Sequence, residues 1–331
     1  MGQTATLKKI SAQLNLSIST VSRALKNHPD ISENTKRKVR ELAALMEYEP
    51  NSYAVNLRTN KSKVIGLIVP DISNTFNDSF IAAAETAARK AGYSVLILQS
   101  ANDTQQEADN LRLCRHYRVD GILISQCSES IATGLAEKYN DAGIPVVFFD
   151  RVPDSGVFDT VCMADEEAAT IAAHTITTYL KKNILALFGI PALSISRKRK
   201  ETFLKILKDK PGIEVRTADC ADSRQATLEV SRALEEKQRP DHIFCMSDEL
   251  LIGTMKALHA TNLRIPEDIT VLAISNGLIP DLFKPTISYI ETSGYELGKL
   301  AMQRMLENLE NKTAPRTILL PARLVEGGSL R

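Results

Sequence analysis

The sequence predicts an α/β protein: an N-terminal helix-turn-helix head followed by a core of two doubly wound parallel-sheet lobes. Three observations carry this. Residues 7 to 48 show three short runs of helical periodicity and no strand. From Val64 onward near-continuous apolar runs alternate with amphipathic helices, and that alternation restarts at Asn183. With 331 residues, 44% of them hydrophobic and 24% charged, the chain has material for a sizeable core plus an appended domain.

In the head, Leu7, Ile10, Ser11 and Leu14 fall at helical spacing, Asn15-Leu16-Ser17 interrupts, and a second run covers Ile18 to Lys26. Asparagine tolerates left-handed backbone, so Asn15 can make the turn while Ser17 caps the second helix. A third helix is expected from Ser32, with Val39, Leu42 and Leu45 on one face, ending at Tyr48-Glu49-Pro50. The short segment Asn51 to Arg58 and the polar linker from Thr59 to Lys63 follow. The first set of strands is VIGLIV from Val64, YSVLIL from Tyr93, GILIS from Gly121 and PVVFF from Pro145, separated by helical runs such as FIAAAETAARKAG. The second is NILALFG from Asn183, then IEVRTA, DHIFCMS and ITVLAIS. Buried strands joined by helices make parallel sheets, and ligands of such sheets sit beyond the carboxyl ends of the strands. The residues after PVVFF, DHIFCM and ITVLAI are therefore expected to face a cleft between the lobes.

Composition excludes several classes. MGQTATLKKISAQL reads as neither a signal peptide nor an anchor, and no stretch approaches the roughly 18 apolar residues of a membrane span, so a cytoplasmic protein is expected. Cys114, Cys127, Cys162, Cys220 and Cys245 are odd in number and lack CxxC spacing, which suits reduced thiols. The five histidines show no HxxxH or HExxH pairing, so no metal is expected. There is no GxGxxG after a strand, no GxxxxGK[ST] and no GxSxG, and Glu166-Glu167 sits where a solvated helix start would put it. Neither an enzyme nor a cofactor is expected. A transport-type binding protein, the other alternative, would need an export signal and no basic head.

Charge separates the two parts. Residues 1 to 63 hold 11 Lys and Arg against 5 Asp and Glu, a surplus of six, whereas the remainder holds 30 against 35. A basic head on an acidic body can hold phosphates at one end without coating the whole protein in nucleic acid. Within the head, LSISTVSRAL from Leu16 to Leu25 combines small polar residues at a helix start with an apolar back. Ser17, Thr20 and Ser22 can donate to phosphates, Ile18, Ser19 and Arg23 can reach base edges, and Val21 and Leu25 anchor the back.

The stretch TLKKISAQLNLSISTVSRALKNHPDISENTKRKVRELAALMEYEPN resembles the head of the lactose/galactose-repressor family of bacterial transcription regulators, whose pattern runs helix, turn, V-S-x-x-T-V-S-R, helix, Y-x-P-N. The likeness continues through the core opening IGLIVPDISNTF, RVDGILIS, GIPVVFFDR and GYELGKL, covering essentially the whole chain. It implies a periplasmic-binding-protein-like core in which the chain crosses three times between lobes. The implied division is a head of 1–50, a hinge helix and linker of 51–63, and a core of 64–331, with one lobe spanning 64–163 and 291–320 and the other 164–290 and 321–331.

The resemblance also implies a repressor that binds a near-palindromic double-stranded operator as a homodimer and responds to a small polar effector. Sugars come first, and acidic derivatives are also admitted. The family's hinge A-x-x-L falls on Ala54 and Leu57. A helix of this length does not persist alone, so it should form on DNA, with Leu57 wedged into a minor-groove step. Thr6, Leu7, Lys26, Ser32, Thr35, Tyr48, Asn51 and Arg58 complete the expected DNA contacts. For the effector, R-x-x-G-F matches Arg199 to Phe203 with Thr202 in place of glycine, and Asp150-Arg151 matches the end of the fourth strand. Ser247-Asp248 stands where relatives place Asn-Asp, Ser275-Asn276 where many place Asp, and Cys220 near a position that often holds an aromatic. Ser247 and Asp248 are equally readable as helix caps, and Arg199 as surface charge. Asn74, Phe76, Asn77 and Thr292 complete the expected cleft. Apolar helix faces such as FIAAAETAA are the expected dimer platform.

Overall fold

A computed structural model describes residues 6–48, 61–127, 132–154, 156–179, 182–311 and 314–330. The chain divides into two compact units, 1–62 and 63–331. Lys63, expected in the linker, belongs to the second: its amide donates to Asp120 and its ammonium lies 4.2 Å from the centre of the Tyr93 ring.

The head holds α1 (Leu7–Leu14), α2 (Ile18–Leu25) and α3 (Glu33–Leu45). Asn15 ends α1 in the left-handed region with φ 54°. Ser17 Oγ accepts from the Thr20 amide at 3.0 Å and Ser32 Oγ from the Thr35 amide at 3.3 Å, so each following helix starts on a hydroxyl cap. Ile10, Val21, Ala24, Val39 and Ala43 form the small core, with Leu7, Leu25, Leu42, Met46 and Tyr48 packed around it. Leu45 does not join them and is 82% exposed. Val39, Ala43 and Met46 recur every three to four residues and set the buried face of α3, which leaves position 45 turned outward.

The core begins with β1 (Val64–Val69), α4 (Thr75–Lys90), β2 (Ser94–Gln99), α5 (Thr104–His116), β3 (Gly121–Ile124), α6 (Ala132–Asp141), β4 (Val146–Phe149) and β5 (Asp159–Met163). It continues with α7 (Asp165–Thr178), β6 (Asn183–Phe188), α8 (Ser194–Leu207), β7 (Glu214–Asp219), α9 (Ser223–Glu235), β8 (His242–Cys245), α10 (Asp248–His259), β9 (Thr270–Ser275) and β10 (Ser288–Glu291). It closes with α11 (Gly294–Glu310), β11 (Thr317–Leu320) and β12 (Arg323–Val325).

One sheet has the order β11-β5-β4-β3-β1-β2 and the other β12-β10-β9-β8-β6-β7. All pairings in the first are parallel. In the second, β12 runs antiparallel to β10, a departure from the all-parallel expectation that a three-residue edge strand permits. The chain passes between sheets after β5, after β10 and after β11. Glu291 still pairs within the second sheet, one residue into the stretch expected in the first lobe.

In both lobes the strand order reverses between the first and third strands of the sheet, at β1/β3 and at β6/β8, and such reversals open the crevice where open sheets bind ligands. The apolar face expected to make the dimer platform is occupied within the protomer. Phe80, Ala83, Ala84 and Ala88 of α4 are buried, and a Cβ on Gly294 or Gly298 of α11 would stand 2.4 Å from the Phe76 or Phe80 carbonyl oxygen. The two helix backbones touch there, which only glycine allows.

Candidate functional site

Two surfaces collect the expected residues. On the head, the start of α2 forms a hydroxyl cluster, with Ser17 Oγ 2.7 Å from Ser19 Oγ and 2.8 Å from Thr20 Oγ1. Ile18 is 48% exposed beside it, an apolar side chain left in water on the same turn. Arg23 and Lys26 are exposed, Ser22 half-buried. Arg23 reaches Asp30 at 3.6 Å in a pair exposed on both sides, so little holds the guanidinium back from another acceptor. Thr6 caps α1 through the Lys9 amide, and Ser32 and Thr35 mark the start of α3. Leu7 and Tyr48 lean onto the head's own core, so their apolar parts are already engaged. Asn51, Ala54, Leu57 and Arg58 lie outside the described residues.

The second surface is a cavity of about 340 Å³ between the lobes of the core, in the size range of small-molecule sites. Asn74, Phe76, Asn77, Asp150, Arg151, Arg199, Ser247, Asp248, Ser275 and Thr292 all line it. Asn74 caps α4, and Asn77 donates to the Asp71 carbonyl at 2.8 Å. Ser247 caps α10, so the capping reading describes its hydroxyl. Asp248 instead faces across: it accepts from Ser275 Oγ and from the Asn276 amide at 3.1 Å, with Thr75 Oγ1 of the other lobe at 3.4 Å.

Arg199 is not surface charge. It is 5% exposed, and its Nε and Nη2 both lie 2.8 Å from Asp165 Oδ1 while Nη1 donates to the Met246 carbonyl at 2.7 Å. The donor fork expected to meet a ligand is therefore closed on a carboxylate of the protein itself. Asp165, Ser196, Asp71, Asn102, Asp222 and Glu249 are cavity groups or their partners that sequence reasoning missed. Asp165 heads α7, and its neighbour at Glu166-Glu167 drew attention as solvated charge, which their exposure matches. Ser196 Oγ is buried with no hydrogen-bond partner among the described residues.

Electrostatics follow burial. Asp150 sits in the left-handed region at φ 55°, a conformation a short acid can adopt at the end of a strand. Burial pushes its carboxyl above the ordinary range, against the pull of Arg151. Burial also raises Asp165 despite the Arg199 guanidinium, and raises Asp248 despite its hydroxyl and amide donors. Cys220 lines the cavity, but burial pushes its thiol up to about 11, so it stays protonated and unreactive. Among the described residues no group of three or more His, Cys, Asp or Glu is placed to hold a metal ion, and no helix is long and apolar enough to cross a membrane.

The lobes are tied on both sides of this cavity. Asn276 Nδ2 donates to Thr75 O and Ser79 Oγ, each at 3.2 Å, and its Oδ1 accepts from the Gly294 amide at 3.2 Å. Opposite, Ser194 Oγ donates to the Val152 carbonyl at 3.2 Å and Arg197 pairs with Asp154 at 3.0 Å. A molecule bound to Asp248 thus touches a residue that also bridges the lobes.

Residues 6–51 match the family described as bacterial regulatory proteins, lacI family, and residues 65–313 match the periplasmic binding protein domain. The transcriptional regulator RegA of Clostridium acetobutylicum is 28% identical over 327 residues, 94% of each chain. The transcriptional repressor PurR of Vibrio atlanticus is 27% identical over 315 residues, 93% of each chain. The Lac repressor dimer bound to operator and the anti-inducer ONPF shares the fold, with a TM-score of 0.90 at 20% identity over 99% of both chains.

Proposed function

Because the chain belongs to the lacI family of bacterial regulatory proteins, with a periplasmic binding protein domain as its core, we propose that it is a cytoplasmic, non-enzymatic transcription repressor. It binds a near-palindromic operator as a homodimer and is modulated by a small polar effector in the cleft between the lobes. The observation that carries this reading is the start of α2: a hydroxyl-capped helix with Ile18, Ser19 and Arg23 turned to solvent, within residues 1–63, which carry a surplus of six positive charges. Ser17, Thr20 and Ser22 position the helix on phosphates, Arg23 reads a base, and Leu57 from each subunit opens the central step. Two copies are required because unstacking a base step costs roughly a few kcal/mol, more than one small head recovers. RegA and PurR, similar over nearly the whole chain, carry the names of transcription regulators, which supports the same role here.

The test is selection of operator half-sites by parent and Arg23→Ala protein. A bidentate arginine–guanine contact supplies about 1–3 kcal/mol of discrimination. The variant is expected to lose preference at one position per half-site by roughly 5–150-fold while keeping its affinity for unrelated duplex within a small factor. Selection of the same half-site at the same stringency by both proteins would remove Arg23 from base readout.

A further inference from the structure

The charge of the cleft narrows what it can bind. Asp71, Asp150, Asp222, Asp248 and Glu249 line it against only Arg151 and Arg199. Arg199 is neutralised by Asp165, and Arg151 donates to Asn102 Oδ1 at 2.6 Å. Four of the five acids have donors of their own: Asp71 from Ser73, Asp222 from the Gln225 amide, Glu249 from the Ser223 amide, and Asp248 from Ser275 and Asn276. Asp150, half-buried in the cleft wall, has none among the described residues. On the other lobe, Ser196 Oγ is 2% exposed and equally without a partner. Gly189 keeps space beside it, since a Cβ there would approach Ser196 Oγ to 2.9 Å.

A carboxylate on a cleft wall with no protein donor keeps its charge uncompensated once a ligand displaces the water around it, unless a proton or a cation joins it. A carboxylate ligand would meet five acids with the Arg199 fork already closed. A neutral polyol can donate hydroxyls but leaves the excess charge in place. Resting on the reading of this cleft as the effector site, we propose that the effector is a small hydroxylated amine of the amino-sugar class. It binds as an ammonium cation, with the ammonium on Asp150 and a hydroxyl on Ser196. The Phe76, Ile190, Leu193 and Ile274 side chains supply the apolar wall for its carbon skeleton. Charge-assisted hydrogen bonds are the stronger class, so removing the positive charge is expected to weaken binding about tenfold or more.

The experiment uses the full-length protein and three matched sets: glucosamine, galactosamine and mannosamine, each beside its N-acetyl derivative and its parent hexose. Thermal unfolding and operator anisotropy are read in the same samples. At least one amine is expected to raise the unfolding midpoint by about 5–10 °C at a hundredfold excess over its Kd. The N-acetyl and parent partners should bind about tenfold or more weakly. Asp150→Asn should abolish the gain and Ser196→Ala reduce it, with the ligand-free transition of each variant reporting that it is folded. The proposal is overturned if no amine stabilises the parent more than its neutral partners do, or if Asp150→Asn keeps the gain. A neutral sugar that shifts operator binding would leave the effector site standing and remove the cation. Failure of the protein to prefer any duplex, free or with the amines, would instead remove the regulator reading.

Discussion

Replacing Arg199 with alanine is expected to destabilise the 63–331 unit by about 3–5 kcal/mol and to lower its unfolding midpoint by about 10 °C. The pair with Asp165 is buried on both sides, at 6% and 7% side-chain exposure, so truncating the arginine strands a carboxylate away from water. The Met246 carbonyl loses its donor in the same step. An exposed pair such as Arg197–Asp154 would cost no more than about 1 kcal/mol on the same truncation, so the size of the loss separates the two roles sequence reading left open for Arg199.

The pH dependence of that loss has a definite sign. Burial raises the Asp165 carboxyl above 3.8 in the folded protein, and removing Arg199 takes away the guanidinium that opposes the rise. A group with a raised folded pKa favours the folded state below its unfolded pKa, and that contribution is lost as pH rises through the folded value. The deficit of Arg199→Ala should therefore shrink toward acid pH and grow toward neutral, and Asp165→Asn in the same chain should recover part of it. A deficit below about 1 kcal/mol at neutral pH, unchanged by Asp165→Asn, would mean the pair holds nothing together.

Legibility in the sequence followed unbroken apolar runs more than burial, since β5 and β10 are buried but read DTVCM and SYIE. Strands β1, β3, β4, β6, β8 and β9 are buried over nearly their whole length, and their apolar runs mark them without ambiguity. Strands β5, β10, β11 and β12 had no such signature. β11 and β12 lie at sheet edges, β11 alternates in exposure, β12 has only three residues, and β10 reads SYIE, with polar residues at both ends. The caps were legible because a hydroxyl three residues before an amide needs only local spacing, as Ser17 and Ser32 do.

The cleft was legible only by its strand ends. Asp150 follows β4, Ser275 ends β9, and Ser247 and Asp248 come within three residues of the end of β8, and a strand end has to face the crevice. Asp165 lies 34 residues from Arg199, on another helix, and nothing in the local pattern joins them. The same holds for Ser196, whose missing partner is a property of the folded cavity. The cover on the apolar face of FIAAAETAA was illegible for a related reason: such a face states that it must be covered, and within the protomer α11 covers Phe80, Ala83, Ala84 and Ala88 from more than two hundred residues away.

Arg304→Ala is the second large effect expected, and it acts where the chain returns to the first lobe. Arg304 on α11 is 2% exposed. Its Nε and Nη2 converge on Asp159 Oδ1 at 2.6 Å, Nη2 also donates to the Ala314 carbonyl at 3.0 Å, and Nη1 lies 3.2 Å from Glu307. Asp159, at the head of β5, also accepts from the Arg316 amide at 3.0 Å and from Asn308 at 2.9 Å. One buried guanidinium thus joins α11, β5 and the segment that leads into β11. Without it Asp159 keeps neutral donors but loses its counter-charge, and the arginine stem leaves a gap, for a loss of about 3–5 kcal/mol. Lysine should rescue little, because an ammonium cannot present the planar fork that meets Asp159 and Ala314 together. Glu307→Gln is the internal control: its side chain is 36% exposed, and it should cost no more than about 1 kcal/mol. Denaturant titration of the three variants checks this, since the midpoint should move strongly for Arg304→Ala and barely for Glu307→Gln. Equal shifts for the two would mean the network behaves as surface charge, and that β11 is held to β5 by its ladder and the Thr160–Thr317 hydroxyl bond of 2.8 Å.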